Sequence, residues 1–215
     1  MIHTRNLALL VATRNRGKIA EIQEALSQLP IKLRYLDEFE EASTVAEVGQ
    51  TYQENAVLKA LGYSRQTGIS ALADDSGLEV DALGGMPGVF SARFGGDHAS
   101  DPQRIEKLLA MLSDGDRKRT ARFVCYLALA GWEPAEGHVE GKESGLLRVT
   151  SATCEGIIVK APRGTNGFGY DPVFVPAGYD STFAELPSAI KNAISHRALA
   201  LAAMREFLDH WLTKT

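Results

Sequence analysis

The sequence predicts an α/β protein, and three observations carry that expectation. The apolar run "LALLVA" (7–12) leads through helical spacing into the alternating run "IKLRYL" (31–36), a strand–helix–strand opening. A second helical segment opening at "TYQE" (51–54) leads into another apolar run, "ISALA" (69–73). The composition is that of a globular chain, with 45% hydrophobic and 23% charged residues over 215 positions. That length suits one large domain or two small lobes sharing a core.

"LALLVA" has no polar face, as expected of a buried central strand. The helix after it sets Ile19, Ile22, Leu26 and Leu29 at helical spacing and stops at Pro30. Residues 37–50 are acidic, with Asp37, Glu38, Glu40, Glu41 and Glu47. "TYQE" is a capping-box pattern, Thr51 with Glu54, whose helix should run to about Arg65 before Gly68. "ISALA" reads as a short strand ending at "DDSG", followed by the Gly-rich loop "GGMPGVFSARFGG" (84–96). In "DPQRIEKLLAMLS" (101–113), Asp101 reads as the cap and Pro102 as the first helical residue. "TARFVCYLALA" (120–130) and a strand within about 146–160 should pair antiparallel through a long hairpin. "GTNGFGYDP" (164–172) is a loop with three glycines, and an amphipathic helix over roughly 196–212 has Ser195 as its cap.

The net charge of −4 argues against a general nucleic-acid binder but leaves room for a small anion on a local basic cluster. Cys125 and Cys154 lie in no CxxC and near no histidine at metal-ligand spacing, which suggests buried free thiols in a reducing compartment. The opening residues lack the apolar core of a signal peptide, and no stretch reaches membrane-helix length. A cytoplasmic protein without a membrane partner is the expectation.

Four stretches carry chemistry. In "VATRNRGKIAEI" (11–22) a strand turns into a helix with Arg14, Arg16 and Lys18 around Gly17. It is not a Walker loop, because Ala12 replaces the first glycine and Ile19 the magnesium-binding hydroxyl. A helix N-terminus still offers N–H groups and a positive dipole end. Gly17 permits an unusual backbone, and Thr13 and Asn15 are short polar side chains able to bond an oxygen. A phosphate cradle and a solvated basic turn fit this segment equally well.

"ADDSG" (73–77) sets Asp74 and Asp75 at the end of an apolar strand, where ligand crevices open in α/β sheets. Two adjacent carboxylates repel unless a cation or a proton sits between them. Magnesium takes one or two carboxylates together with phosphate oxygens. A turn whose aspartates cap nearby N–H groups is the plainer alternative. "TNGFGYDP" sets Phe168 and Tyr170 where they could stack on a base, with Asp171 as an acceptor for a ring N–H. For Phe168 a core position fits as well. "KNAISHR" (191–197) puts Lys191, His196 and Arg197 around a helix start, suited to an anion or a carbonyl oxygen. Basic, acidic and aromatic sets together describe a nucleoside triphosphate site without a Walker loop.

The segments "ATRNRGKIAEI", "ENAVLKA", "LADDSGLEVDALGGMPGVFSARFGG", "ARFVCYLAL", "GTNGFGYDPVF" and "AISHRALAL" follow one another from residue 8 to the C-terminus. In this order they resemble the inosine triphosphatase family, also called Ham1-like. The resemblance implies one domain over residues 1–215, made of two lobes. It implies a long central mixed sheet flanked by helices, a substrate groove between the lobes, and a homodimer. It implies magnesium-dependent hydrolysis of noncanonical purine nucleotides (ITP, dITP and XTP) to the monophosphate and pyrophosphate, a house-cleaning task. By motif, Thr13, Arg14, Asn15, Arg16, Gly17 and Lys18 would hold phosphates. Asp75 would be general base and metal ligand, with Asp74 beside it and Ser76 touching substrate. Phe168, Gly169, Tyr170, Asp171, Lys191, His196 and Arg197 would contact base and phosphates. Glu47 is the expected second metal carboxylate, with Glu40 and Glu41 open. The stretch 131–150 is longer than the family's usual connection there.

In this reading water attacks the α-phosphorus and pyrophosphate leaves, its charge offset by Lys18, Arg14 and metal. A backbone N–H or Arg197 donating to the 6-oxygen of inosine or xanthosine would face a donor in adenosine, leaving buried donors unpaired. A nucleotide sensor that binds without hydrolysis, and a Maf-like pyrophosphatase of other nucleotides, are the alternatives.

Overall fold

A computed structural model describes residues 7–96, 98–112, 118–131 and 145–213. The regular elements are β1 (Leu7–Val11), α1 (Arg16–Leu26), β2 (Ile31–Tyr35), α2 (Tyr52–Thr67), β3 (Ser70–Val80) and α3 (Asp101–Met111). They continue with β4 (Thr120–Gly131), β5 (Gly145–Ile158), β6 (Phe174–Pro176), α4 (Ser188–Ile194) and α5 (His196–Thr213). Among the described residues six strands form one sheet in the order β2-β1-β3-β4-β5-β6. β1 runs parallel to both β2 and β3, while β5 and β6 are antiparallel, so the sheet is mixed, as the sequence predicted. Most of the expected long hairpin, residues 132–144, lies outside the described residues.

The chain divides into two compact units. Unit 1 comprises residues 1–75, 126–151 and 200–215, and unit 2 comprises 76–125 and 152–199. In unit 1, Ala56 and Ala60 of α2 meet Ala71, Ala73, Ala128 and Ala130 of the strands. Small side chains on both surfaces let the helix lie close to the sheet. The core of unit 2 holds an aromatic cluster among aliphatic side chains. Phe123 meets Phe174 edge-on at 4.7 Å between centroids, and Phe183 lies 5.3 Å from Phe174.

Local chemistry sets the element ends. Thr51 Oγ1 accepts from the Glu54 N–H, Glu54 Oε2 accepts from the Thr51 N–H, and Gly68 closes α2 with φ +70°. Ser195 Oγ accepts from the Ala198 N–H at the head of α5. α1 ends earlier than its apolar spacing suggests, at Leu26, with Leu29 in the following turn. The cap of α3 is Ser100 and not Asp101: the Gln103 side chain accepts from the Ser100 N–H at 2.8 Å, placing Asp101 inside the helix. β3 does not end at "DDSG" but runs through it to Val80, 11 residues in all. It can do so because lysines neutralise both of its aspartates. Cys125 and Cys154 are buried and unbridged, and burial pushes the Cys154 thiol up to about 11.

Gly156 in β5 is needed for close approach. A Cβ there would stand 2.3 Å from the Val175 carbonyl oxygen and 2.6 Å from the Phe174 ring, in the β5–β6 pairing. A backbone oxygen within a ladder cannot retreat cheaply. Gly156→Ala should therefore cost about 1–3 kcal/mol, and Tm should fall by roughly 2–4 °C per kcal/mol for a chain of this size. Gly145→Ala, whose Cβ meets open space, is the control expected to leave Tm unchanged. Equal melting of the two variants in a thermal scan would contradict the packing argument.

Candidate active site

Unit 1 places β1 between β2 and β3. The connection through α1 leads to one side of β1, and that through α2 leads to the other. Where successive connections diverge in this way, a crevice opens at the carboxyl ends of the strands. The loop 12–15 and the aspartates of β3 belong to this part of the chain.

Asn15 is the N-cap of α1, with its side chain accepting from the Lys18 N–H at 3.1 Å. Thr13 Oγ1 accepts from the Asn15 N–H at 3.2 Å. Both short polar side chains therefore shape the loop through their oxygens, while the Thr13 hydroxyl and the Asn15 amide nitrogen still carry donors of the kind a ligand oxygen takes. Gly17 is the second residue of α1 and takes helical backbone, not the unusual conformation the sequence suggested. What it offers is a bare surface beside the first N–H groups of the helix. Arg14 and Arg16 are exposed, with Arg14 donating to Thr44 Oγ1 at 3.3 Å.

Asp74 and Asp75 do not share one cation. Successive side chains of a strand point to opposite faces, and each aspartate meets its own lysine. Lys18 Nζ donates to Asp74 Oδ1, in a pair whose carboxylate side chain is fully buried. Lys59 Nζ donates to Asp75 Oδ1 at 3.0 Å, to Glu47 Oε1 at 2.8 Å and to the Asp74 carbonyl at 2.8 Å. Asn55, one turn before Lys59, brings its Nδ2 to 3.5 Å from Asp75 Oδ2, and its Oδ1 accepts from the Gly49 N–H at 2.8 Å. That bond ties the segment bearing Glu47 to α2. Glu40 and Glu41 are exposed in the turn before it.

The electrostatics of the pair are unequal. Burial pushes the Asp75 carboxyl above the usual aspartate value, and the Lys59 charge offsets only part of this. Burial works to lower the Lys59 ammonium, but the charges of Asp75 and Glu47 and the hydrogen bonds to them leave it above its ordinary value. Among the described residues no group of three or more His, Cys, Asp and Glu is gathered as a metal site. Glu47 and Asp75 nevertheless share one cationic nitrogen. Two carboxylates converging on a cation are a donor set that magnesium accepts when phosphate oxygens complete it.

Unit 2 holds the second set. Gly167 must be glycine: with φ +74°, a Cβ there would stand 1.9 Å from Asp171 Oδ2. That oxygen accepts from the Phe168 N–H at 2.9 Å and from Lys191 Nζ at 2.5 Å. Lys191 Nζ lies 4.8 Å, and Arg197 Cζ 5.5 Å, from the centre of the half-buried Phe168 ring. Arg197 also donates to Ser76 Oγ at 2.8 Å. Phe168, Gly169, Asp171, Lys191, Arg197 and Ser76 are thus brought together. Tyr170 and His196 are not presented in the same way. Tyr170 is 4% exposed, with its hydroxyl donating to the Ser91 carbonyl at 3.0 Å. The His196 ring stacks on Phe123 at 4.7 Å and 8°. Of the two aromatic residues in this loop, Phe168 is the one that keeps a partly exposed ring.

The sequence reading did not single out Lys59 and Asn55. Their signal was present: the buried face of α2 is Tyr52, Asn55, Ala56, Lys59, Ala60 and Tyr63. Two polar residues four apart on such a face require buried partners.

Parallel strands about a switch point, with a basic helix start and lysine-paired aspartates, define a mixed α/β protein with a site suited to anions. The chain belongs to the Ham1 family, whose model matches residues 9–207. It is 44% identical over 204 residues to a dITP/XTP pyrophosphatase of Bacillus anthracis, covering 94% of this chain and 96% of that one. It is 48% identical to a dITP/XTP pyrophosphatase of Syntrophobacter fumaroxidans, covering 95% and 83%. The fold matches the structure of a HAM1 protein from Coxiella burnetii with a TM-score of 0.82, at 42% identity, over 95% of this chain and 99% of that chain. The family resemblance read from the motifs holds, and the fold is of that family's kind. No helix among the described residues is long and apolar enough to cross a membrane.

Lys59→Met keeps the bulk of the side chain and removes its charge. Stripping a buried pair of one partner costs about 3–5 kcal/mol. The deficit should also depend on pH. Without Lys59 the Asp75 carboxyl, already above its ordinary value of 3.8, rises further. A carboxyl whose folded pKa is raised contributes stability below its unfolded pKa and loses it as pH rises through the folded pKa. Urea titrations should show the gap between Lys59→Met and wild type widening from about pH 4 to about pH 8. The double variant with Asp75→Asn should recover part of the loss. A gap independent of pH would contradict this pairing.

Proposed function

We propose that the protein is a magnesium-dependent nucleoside triphosphate pyrophosphatase acting on the noncanonical purine nucleotides ITP, dITP and XTP. The observation that carries this reading is the pair of adjacent aspartates in β3, each answered by a different lysine, beside the basic start of α1. Relatives at 44–48% identity named dITP/XTP pyrophosphatase support it. The cytoplasm as its place and a homodimer as its working form belong to the same reading.

The residues divide the work. Arg14, Arg16, Lys18 and the N–H groups at the start of α1 bind the triphosphate. Lys59 holds Asp75 and Glu47 in register, and Asn55 fixes the free side of Asp75. Asp75, raised by burial above its ordinary value, takes the proton of the water that attacks the α-phosphorus, and pyrophosphate leaves. Asp74 holds the Lys18 ammonium in place. Glu47 and Asp75 would hold a magnesium ion, which supplies charge neutralisation to the phosphates. In unit 2, Phe168 offers its face to the purine, and Arg197 supplies a donor for the 6-oxygen.

Pyrophosphate release should be fast from ITP, dITP and XTP, slow from ATP and GTP, and abolished by chelator. Release from ATP at an equal rate would refute the substrate class. Asp75→Asn should lose at least about a hundredfold in kcat, the scale of general-base catalysis, with ITP binding retained in a calorimetric titration. Phe168→Ala should act mainly on KM, because base–aromatic stacking contributes about 1–3 kcal/mol.

A further inference from the structure

The aromatic loop is held by a residue far away in the chain. Gly169 donates its N–H to Asp101 Oδ2 at 2.7 Å, across 68 positions. Asp101 is the first residue of α3, and its other oxygen is bound by Arg104. Arg104 in turn donates to the carbonyl of Ala92 at 2.8 Å and to that of Ala99. Asp101 therefore enters the loop from a fixed direction. Other tethers include Asp171 on the Phe168 N–H, the Tyr170 hydroxyl on the Ser91 carbonyl, and the Asn166 N–H on the Ala184 carbonyl. Phe168 stands between two backbone anchors, one within the loop and one from α3.

We propose that Asp101 is a positioning residue for purine recognition: by holding the Gly169 amide it fixes the attitude of the Phe168 ring. The proposal rests on the reading of Phe168 as the platform for the base. Gly169 has φ +64° and no side chain to brace it, so its amide is the available handle. A carboxylate makes the stronger, charge-assisted kind of hydrogen bond to that amide. A carboxylate in the first turn of a helix also favours the helix through its dipole. That second role predicts a change in stability alone, whereas positioning predicts a change in substrate affinity.

The test compares Asp101→Ala and Asp101→Asn with wild type on ITP, using inorganic tripolyphosphate as a competitor that lacks a base. Asp101→Ala should raise KM for ITP about tenfold, the scale of a hydrogen bond to a charged group, with kcat within about twofold. Inhibition by tripolyphosphate should not move. Exchange of the Gly169 amide, followed by NMR, should quicken. Asp101→Asn keeps an acceptor oxygen and should restore most of the affinity. If Asp101→Ala does not fold, Asp101→Ser, which suits a helix start but is too short to reach Gly169, carries the same expectations. An active Asp101→Ala with wild-type KM and a lowered Tm would overturn the positioning role and leave the pyrophosphatase reading intact. A wild-type chain that releases no pyrophosphate from ITP would overturn both.

Discussion

The ammonium of Lys59 is the contact on which unit 1 depends. An ammonium has three donors, and here each has an acceptor: Glu47 Oε1, Asp75 Oδ1 and the Asp74 carbonyl. The three come from different places, namely the irregular segment before α2 and both the side chains and the backbone of β3. One nitrogen thus fixes the register of helix against strand and draws in a segment without regular structure of its own. The balance is uneven. Lys59 ends above its ordinary pKa, so its charge is secure. Asp75 also ends above its ordinary value, because burial costs its charge more than the lysine returns. The result is a carboxylate more basic than one in water.

Strand geometry then decides what two adjacent aspartates can do. Side chains at consecutive positions diverge, so the electrostatic conflict between Asp74 and Asp75 is resolved by separation and by two cations. Asp74 is the more deeply buried of the two and is paired with Lys18. Its carboxylate is spent on that lysine, while Asp75 is the less buried of the two. The chain continues directly to Ser76, which receives the Arg197 guanidinium in unit 2. Three consecutive residues of one strand therefore answer to three different cationic side chains.

Much of this was legible in the sequence. The capping box at Thr51, the Gly68 stop and the alternation of strands and helices are local signals, and they survive folding unchanged. The Asp74–Asp75 pair and the basic helix start announced a charged site. The extension of β3 through "DDSG" was not legible, because a strand reading ends at adjacent carboxylates unless their partners are known. Those partners, Lys18 and Lys59, lie 56 and 16 residues away. The cap of α3 was missed by one position, since Ser100 and Asp101 are both good capping residues and only Gln103 decides between them. Tyr170 and His196 looked like ligand contacts because they are polar aromatic residues in suggestive company. Burial against Ser91 and Phe123 is a property of the packed core, which no short motif encodes.

Unit 2 repeats the device of unit 1 with different ends. Asp171 and Lys191 form a second buried pair, and the aspartate also holds the Phe168 amide. There the ammonium is not delivered to another carboxylate but is held 4.8 Å from an aromatic ring centre. A cation placed over a ring face is attracted by the ring's quadrupole, so the pair ties the ring of Phe168 to the Lys191–Asp171 anchor. In both units, then, a buried aspartate sets the place of a lysine: Asp74 that of Lys18 in unit 1, and Asp171 that of Lys191 in unit 2. Asp75 is held by a different lysine, Lys59, and its raised pKa comes from burial against the pull of the lysine charges. The carboxylates that hold, Asp74 and Asp171, are the more deeply buried. Asp75 keeps more exposure, and burial raises its carboxyl above its ordinary value.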